Sequence, residues 1–409
     1  MDRHKIFVVG VCAIVLAGCH SKVAPTFPDY VGDAEKSFEP PSQTESVFQD
    51  YVKAASEAES EGHHYLQMVS FYPGQRMAAM RASTSAVEDV ERATEGKCIF
   101  DFKPIGPFEA PPHEQGWRLI GRDLVWKIQD GIKDKRFDDV VRATVVATKF
   151  GFDISGGGAT DASLGLAIAD EARKAVAPAL NSLNPQQLGE LATGVEGALN
   201  AKPSLTTVID HERLNLLECV QTVQNDYRDN RFDELASNLG PDSRGAIEIL
   251  KDLKHKDTNK RPAYFDGFDG EAEMLVKWMK SVAEIPAVDR LMKPEPQFSS
   301  ERPWKKFSKE FFSGLKPLLQ MNDQTVARTR LLVLEALILE QVQSGNPAPK
   351  SLSQFPDNLK TDPYSGKPFV YGAEGSDFHV YSVGADFRDD GGETDETYTQ
   401  PDLKLERDE

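Results

Sequence analysis

Apolar positions along this chain recur at helical spacing far more often than at alternating spacing. Val47, Tyr51, Ala54 and Ala55 mark one helical face within 44–96, and Arg76 to Arg92 is rich in Ala, Met, Val and Glu. Cys98 to Phe102 is a short apolar run that reads as a strand, and Pro104, Pro107, Pro111 and Pro112 then preclude regular helix. The helical period resumes from Arg118 through Leu119, Leu124, Ile128 and Ile132, followed by Phe137 to Phe150. Further helices are expected over 161–177 with Asp161 as N-cap, from Asn184-Pro185 to Leu199, and from Pro203-Ser204 to about Tyr227. Asp242 to Lys260 reads as helical in its first half, Pro262 to Gly270 as a loop, and Glu271 to Ile285 as a helix stopped by Pro286. Pro294, Pro296 and Pro303 interrupt the next stretch, which is the best boundary candidate, near 288–303.

Beyond it, Asn322 or Asp323 is placed to cap a helix through Val326, Leu331, Leu334, Ile338 and Val342, terminated by Gly345 and Pro347. Phe369 to Tyr371 and Phe378 to Val383 then alternate around a Gly-containing turn, the pattern of a β-hairpin. One internal echo is present: Ile132 to Val140 aligns with Tyr227 to Leu235, sharing Arg-Phe-Asp-acid-aliphatic after a turn, which suits two helical hairpins. The fold class expected is mainly α, with a small C-terminal α+β module containing a β-hairpin. The division expected is a leader over 1–18, a flexible tether over 19–43, a helical domain over 44–300, the hairpin module over 301–396 and an acidic tail over 397–409.

The N-terminus carries chemistry of its own. Arg3, His4 and Lys5 precede an apolar run from Ile6 to Ala17, too short for a stable membrane span, so this is a signal peptide. It ends in Leu16-Ala17-Gly18-Cys19, which resembles the lipobox of bacterial lipoproteins. That resemblance implies cleavage before Cys19 and acylation of it, with a diacylglycerol on the thiol and a further chain such as palmitate on the amine. Two or more chains make bilayer attachment stable. His20 follows the cysteine where an inner-membrane retention signal often has Asp, so the resemblance favours the outer membrane over the inner. His20 to Gln43, with Pro25, Pro28, Pro40 and Pro41, supplies a tether of roughly 25–30 Å as a flexible coil.

Composition narrows the partners. The 409 residues carry 47 Lys plus Arg against 65 Asp plus Glu, a net charge of −18, which argues against nucleic acid as partner. Cleavage removes Asp2, Arg3 and Lys5 and leaves the mature chain more acidic still, repelled by anionic headgroups and held by lipid alone. Of four cysteines, the lipobox resemblance implies that Cys12 leaves with the leader and that Cys19 is lipidated. Cys98 and Cys219 remain, either as one disulfide worth roughly 4 kcal/mol or as two buried thiols. Gly156-Gly157-Gly158 completes no phosphate-binding motif, His211-Glu212 lacks a second histidine four residues on, and His63-His64 lacks a third ligand. No catalytic signature stands out.

A second resemblance lies at the C-terminus. Asp362-Pro363-Tyr364-Ser365-Gly366-Lys367-Pro368-Phe369, then Tyr381-Ser382-Val383-Gly384-Ala385-Asp386 before Asp389-Asp390-Gly391-Gly392, looks like the C-terminal half of the type II secretion major pseudopilin, over about 323–396. In that family a loop binds Ca²⁺. Carried over by position, Val383 implies a carbonyl ligand, Asp386 a carboxylate ligand, and Asp389, Asp390 or Asp395 the remaining carboxylates. The loop fails the EF-hand pattern, since Arg388 and Thr397 stand where acids are needed. The family's filament-forming leader helix has no counterpart in place here, which implies a reused globular module. Together these observations point to a membrane-anchored envelope lipoprotein acting as a non-catalytic binding or assembly component. The alternatives are an auxiliary of a type II secretion or type IV pilus-like machine, touching its envelope proteins, and an envelope hydrolase whose site is assembled from distant residues.

Overall fold

A computed structural model describes residues 26–35, 46–66, 68, 70–106, 109–239, 244–296, 315–393 and 402–405. The leader, Cys19 and Asp395 lie outside the described residues. The elements are α1 (Tyr30–Glu35), α2 (Phe48–Glu61), α3 (Pro73–Ala82), α4 (Thr84–Ala93), α5 (Glu114–Lys133), α6 (Phe137–Ile154), α7 (Ala159–Val176) and α8 (Pro185–Ala201). There follow α9 (Leu205–Asp229), α10 (Phe232–Leu239), α11 (Arg244–His255), α12 (Lys260–Ala283), α13 (Ala287–Arg290), α14 (Leu315–Gln343), α15 (Asp357–Lys360), β1 (Val370–Glu374) and β2 (Asp377–Tyr381). The fold is mainly helical, with one small antiparallel sheet in which Val370 faces Tyr381 and Glu374 faces Asp377.

Local chemistry accounts for several starts and stops. Asn184 Oδ1 accepts the Gln187 N–H and Gln187 Oε1 accepts the Asn184 N–H, both at 3.0 Å, while Pro185 opens α8 with a ring that needs no donor. Ser204 Oγ accepts the Thr207 N–H at 3.1 Å and caps α9. The two echoed turns match in backbone as well as sequence: Lys135 and Asn230 both adopt a left-handed φ, 58° and 61°. The following arginine N–H returns to Gly131 O at 2.8 Å in one turn and to Asp226 O at 2.9 Å in the other. Arg136 pairs with Asp134 and Asp139, and Arg231 pairs with the aligned Asp229 and Glu234.

Two apolar clusters form the core. The first joins α2, α4, α5, α6 and α8 to the middle of α14 and to Leu352, Phe355, Leu359, Tyr364, Phe369 and Val380 of the C-terminal segment. The second joins α1 and α9 to α12 with Leu318 and Leu319 at the start of α14. Helix α7 serves both, giving Ile168 and Ala172 to the first and Leu166 and Ala169 to the second. It packs on α6 where Gly151 meets Gly165: a Cβ on Gly165 would stand 2.2 Å from the Gly151 carbonyl oxygen. The middle of helix α14 is buried, Leu331, Val333, Leu334 and Ile338 being fully enclosed. No helix among the described residues is long and apolar enough to cross a membrane.

Several expectations are corrected. The boundary near 288–303 does not separate two cores, because α14 packs against α7 and α8. Ala287 and Val288 donate to the carbonyls of Pro363 and Tyr364, each at 2.9 Å, stitching the boundary segment to the hairpin module. Asp323 is not a cap; it lies inside α14, buried, and takes both nitrogens of Arg290 at 2.5 and 3.0 Å. The expected loop at Pro262 to Gly270 is the start of α12, since a proline within the first helical turn removes no helical hydrogen bond. Cys98 to Phe102 forms no strand; the Ser46 hydroxyl takes the Ile99 N–H at 2.9 Å and donates to the Ile99 carbonyl at 2.7 Å, in place of a strand partner. Within the tether expected over 19–43, residues 27–34 are docked on the body. Phe27 meets the rings of Tyr227 and Phe265, Tyr30 donates its hydroxyl to Asp266 at 3.0 Å, and Gln224 donates to the Pro28 carbonyl at 2.9 Å.

Candidate functional site: a groove between two helices

Helix α5 has two working faces. Leu119, Ile120, Leu124 and Ile128 enter the core, while Glu114, Arg118, Arg122, Val125, Trp126 and Gln129 line an open groove of about 680 Å³. The opposite wall is α7, presenting Thr160, Ser163, Leu164, Ala167, Ile168 and Glu171. The helices approach closely because position 121 is glycine: a Cβ there would stand 2.6 Å from Ile168. The result is an apolar floor of Val125, Trp126, Leu164 and Ile168 with charged residues at the rim, within the size range of small-molecule sites.

The rim charges differ in their partners. Arg118 forms an ion pair with Glu114 one turn earlier on the same helix. Arg122 has no carboxylate partner among the described residues; one of its nitrogens donates to the Met68 carbonyl at 2.9 Å and its guanidinium lies 5.7 Å from the centre of the Phe71 ring. Burial and the neighbouring Arg118 charge hold the Arg122 pKa below the ordinary guanidinium value. Phe71 in turn packs edge-on against Trp126 at 4.9 Å, and Arg76 covers Trp126 while pairing with Asp130 at 2.7 Å. The side chains that border the groove are therefore held in place rather than free to rotate.

At one end the groove meets the start of α7, where the glycine triplet lies. The site a phosphate would take at such a helix terminus is filled by the protein itself: Glu212 Oε2 accepts the Ala159 N–H at 2.8 Å and an amide proton of Asn215 at 3.1 Å. His211 is buried, bonded through Nδ1 to the Gly156 carbonyl at 2.7 Å and stacked on Phe102 at 4.5 Å. Burial lowers its pKa and raises that of Glu212. Asp161 is not the N-cap; Gly158 is, and Asp161 sits buried in the first turn with its pKa pushed up to about 7, chiefly by burial and further by Glu212. His211-Glu212 is thus a structural pair, and His63 and His64 are exposed after α2.

Of the expected calcium ligands, Val383, Asp386, Asp389 and Asp390 are among the described residues and Asp395 is not. Asp386 Oδ1 accepts the Arg388 N–H at 3.1 Å, and Asp389 Oδ1 accepts the Tyr381 hydroxyl at 2.9 Å and the Gly391 N–H at 3.0 Å. The N–H groups of Asp390 and Gly392 turn to Asp402, which sequence reading passed over. Val383 donates its N–H to Asp362 at 3.3 Å. No group of three or more His, Cys, Asp or Glu side chains is placed to hold a metal among the described residues. Cys98 and Cys219 are free thiols and form no disulfide; burial raises both pKa values.

Sequence reading took α5 as a core helix and missed its second face. The signal was present in Glu114, Arg118, Arg122 and Trp126, spaced four apart and offset from the apolar stripe, with a tryptophan closing an otherwise polar row. No protein-family model matches this chain, and neither a curated protein nor a solved structure matches it.

Proposed function

We propose that this chain is a lipid-anchored protein of the bacterial envelope, held through acylated Cys19 with the outer membrane favoured, and that it works as a binding or assembly component rather than as an enzyme. The observation that carries the binding part is the groove between α5 and α7, a concave apolar floor with positioned charges at its rim. The lipobox carries the anchoring part. Docking of Phe27 leaves seven residues between it and Cys19, so the body hangs within roughly 25–30 Å of the bilayer surface even with that segment extended. Cells fed labelled palmitate are expected to mark the wild-type protein and not Cys19→Ser, and the variant is expected to leave the membrane fraction. An unlabelled, soluble wild-type protein would overturn the anchoring.

A second reading, an auxiliary of a type II secretion or type IV pilus-like machine, is favoured by the way the two C-terminal motifs meet. Asp362 of the Asp-Pro-Tyr turn accepts from Tyr364 N at 2.9 Å, Ser382 Oγ at 2.9 Å and Ser365 Oγ at 3.1 Å, joining both quoted segments around one buried carboxylate. Replacing the exposed turn Gly375-Ser376 and its flanks Glu374 and Asp377 with unrelated polar residues is expected to lower secretion in this reading. Undiminished secretion by cells carrying a stably folded variant counts against it.

A further inference from the structure

We propose that the groove between α5 and α7 binds an anionic amphiphile, a single apolar chain ending in a carboxylate or phosphate, with Arg122 as the headgroup partner. This rests on reading the groove as the binding surface. Val125, Trp126, Leu164 and Ile168 give the groove an apolar lining of the kind a chain of methylenes requires. Its volume of about 680 Å³ accepts such a chain whole. Headgroup choice follows from charge. Glu114 and Glu171 also line the groove, but Glu114 pairs with Arg118 and Glu171 lies 3.9 Å from Lys174, whereas Arg122 forms no ion pair among the described residues. In a chain of net charge −18, a cation half-buried against Phe71 and without an ion-pair partner among the described residues is complementary to an acid and repels a cationic ligand. The Met68 carbonyl and the Phe71 ring fix the guanidinium before any ligand arrives, so little side-chain freedom is lost on binding. Burial already disfavours the charged form of Arg122, and an anion relieves this.

The test uses the chain from His20 onward and titrates dodecanoate, dodecyl phosphate, dodecanol and dodecyltrimethylammonium, with binding read by calorimetry and by displacement of a dansyl-labelled undecanoate. The anionic probes are expected to bind at least tenfold more tightly than the other two. Arg122→Gln should remove that preference while dodecanol binding is unchanged, Arg122→Lys should keep most of it, and Leu164→Arg should abolish binding of all four. The ratio of dodecanoate to dodecyl phosphate affinity identifies the headgroup source. Equal binding of anionic and cationic probes, still blocked by Leu164→Arg, overturns the headgroup assignment and leaves the groove as the binding surface. No binding of any amphiphile, or binding that Leu164→Arg does not touch, overturns this proposal; if an acidic amphipathic peptide binds instead and Leu164→Arg blocks it, the groove reading survives. Melting curves identical to wild type confirm that each variant is folded.

Discussion

Asp161 holds one carboxylate oxygen in the interior with no hydrogen-bond partner, in the first turn of α7. Burial, then the charges of Glu212 and Glu114, push its pKa up to about 7 from the ordinary value of 3.8. The folded protein therefore keeps a proton that the unfolded chain releases between about pH 4 and 7. Stability from this group is fully present below about pH 4 and is lost as pH rises through about 7. Asp161→Asn, which never ionises, is expected to melt near the wild-type temperature at pH 4 and several degrees higher at pH 8. Parallel melting profiles for the two proteins across that range would refute the assignment. None of this is legible from Asp161 in sequence, where it looks like a helix cap. Its environment comes from Glu212, a residue 51 positions away that reaches the same turn from α9.

At the level of elements, the sequence pattern was most reliable where a side-chain cap marks the start of a helix, as for α8 and α9. It misread Pro262 as a loop signal because a proline in the first helical turn and one in a loop look alike locally. It read Cys98 to Phe102 as a strand because apolar, β-compatible residues lie there, yet a strand exists only with a partner to take its hydrogen bonds. The α6 and α7 hairpin depends on a feature that composition hides, the mutual approach of Gly151 and Gly165. Gly165→Ala places a methyl against a carbonyl oxygen and the backbone nitrogen of Ser155, neither of which rotates away. Urea unfolding is expected to show a loss of at least about 2 kcal/mol. A loss below half a kcal/mol would show that the helices separate without strain.

For the whole molecule, the decisive fact is the placement of α14. A helix read as the start of a separate C-terminal module instead lies between α7 and α8, tied by Arg328 to Asp170 at 3.2 Å and by Asp323 to Arg290. Leu331, Leu332, Leu334 and Ile338 are fully or almost fully enclosed, and each contributes about 2 kcal/mol on burial. That sum is comparable with the whole stability of an ordinary domain. A fragment of residues 44–300 is accordingly expected to lack cooperative unfolding and to give poorly dispersed amide spectra, whereas 20–409 unfolds in a sharp transition. A 44–300 fragment with a sharp transition of its own would restore the division near residue 300.

Helical periodicity and the hairpin pattern are local properties, set by residues close in sequence, and these could be read directly from the chain. Which cores the helices share, that residues 27–34 dock on α9 and α12, that Glu212 fills the α7 terminus, and that Arg122 has no ion-pair partner among the described residues are all relations between residues tens to hundreds of positions apart. They depend on how apolar faces find each other in three dimensions, and a pattern of period 3.6 says that a face is buried without saying against what.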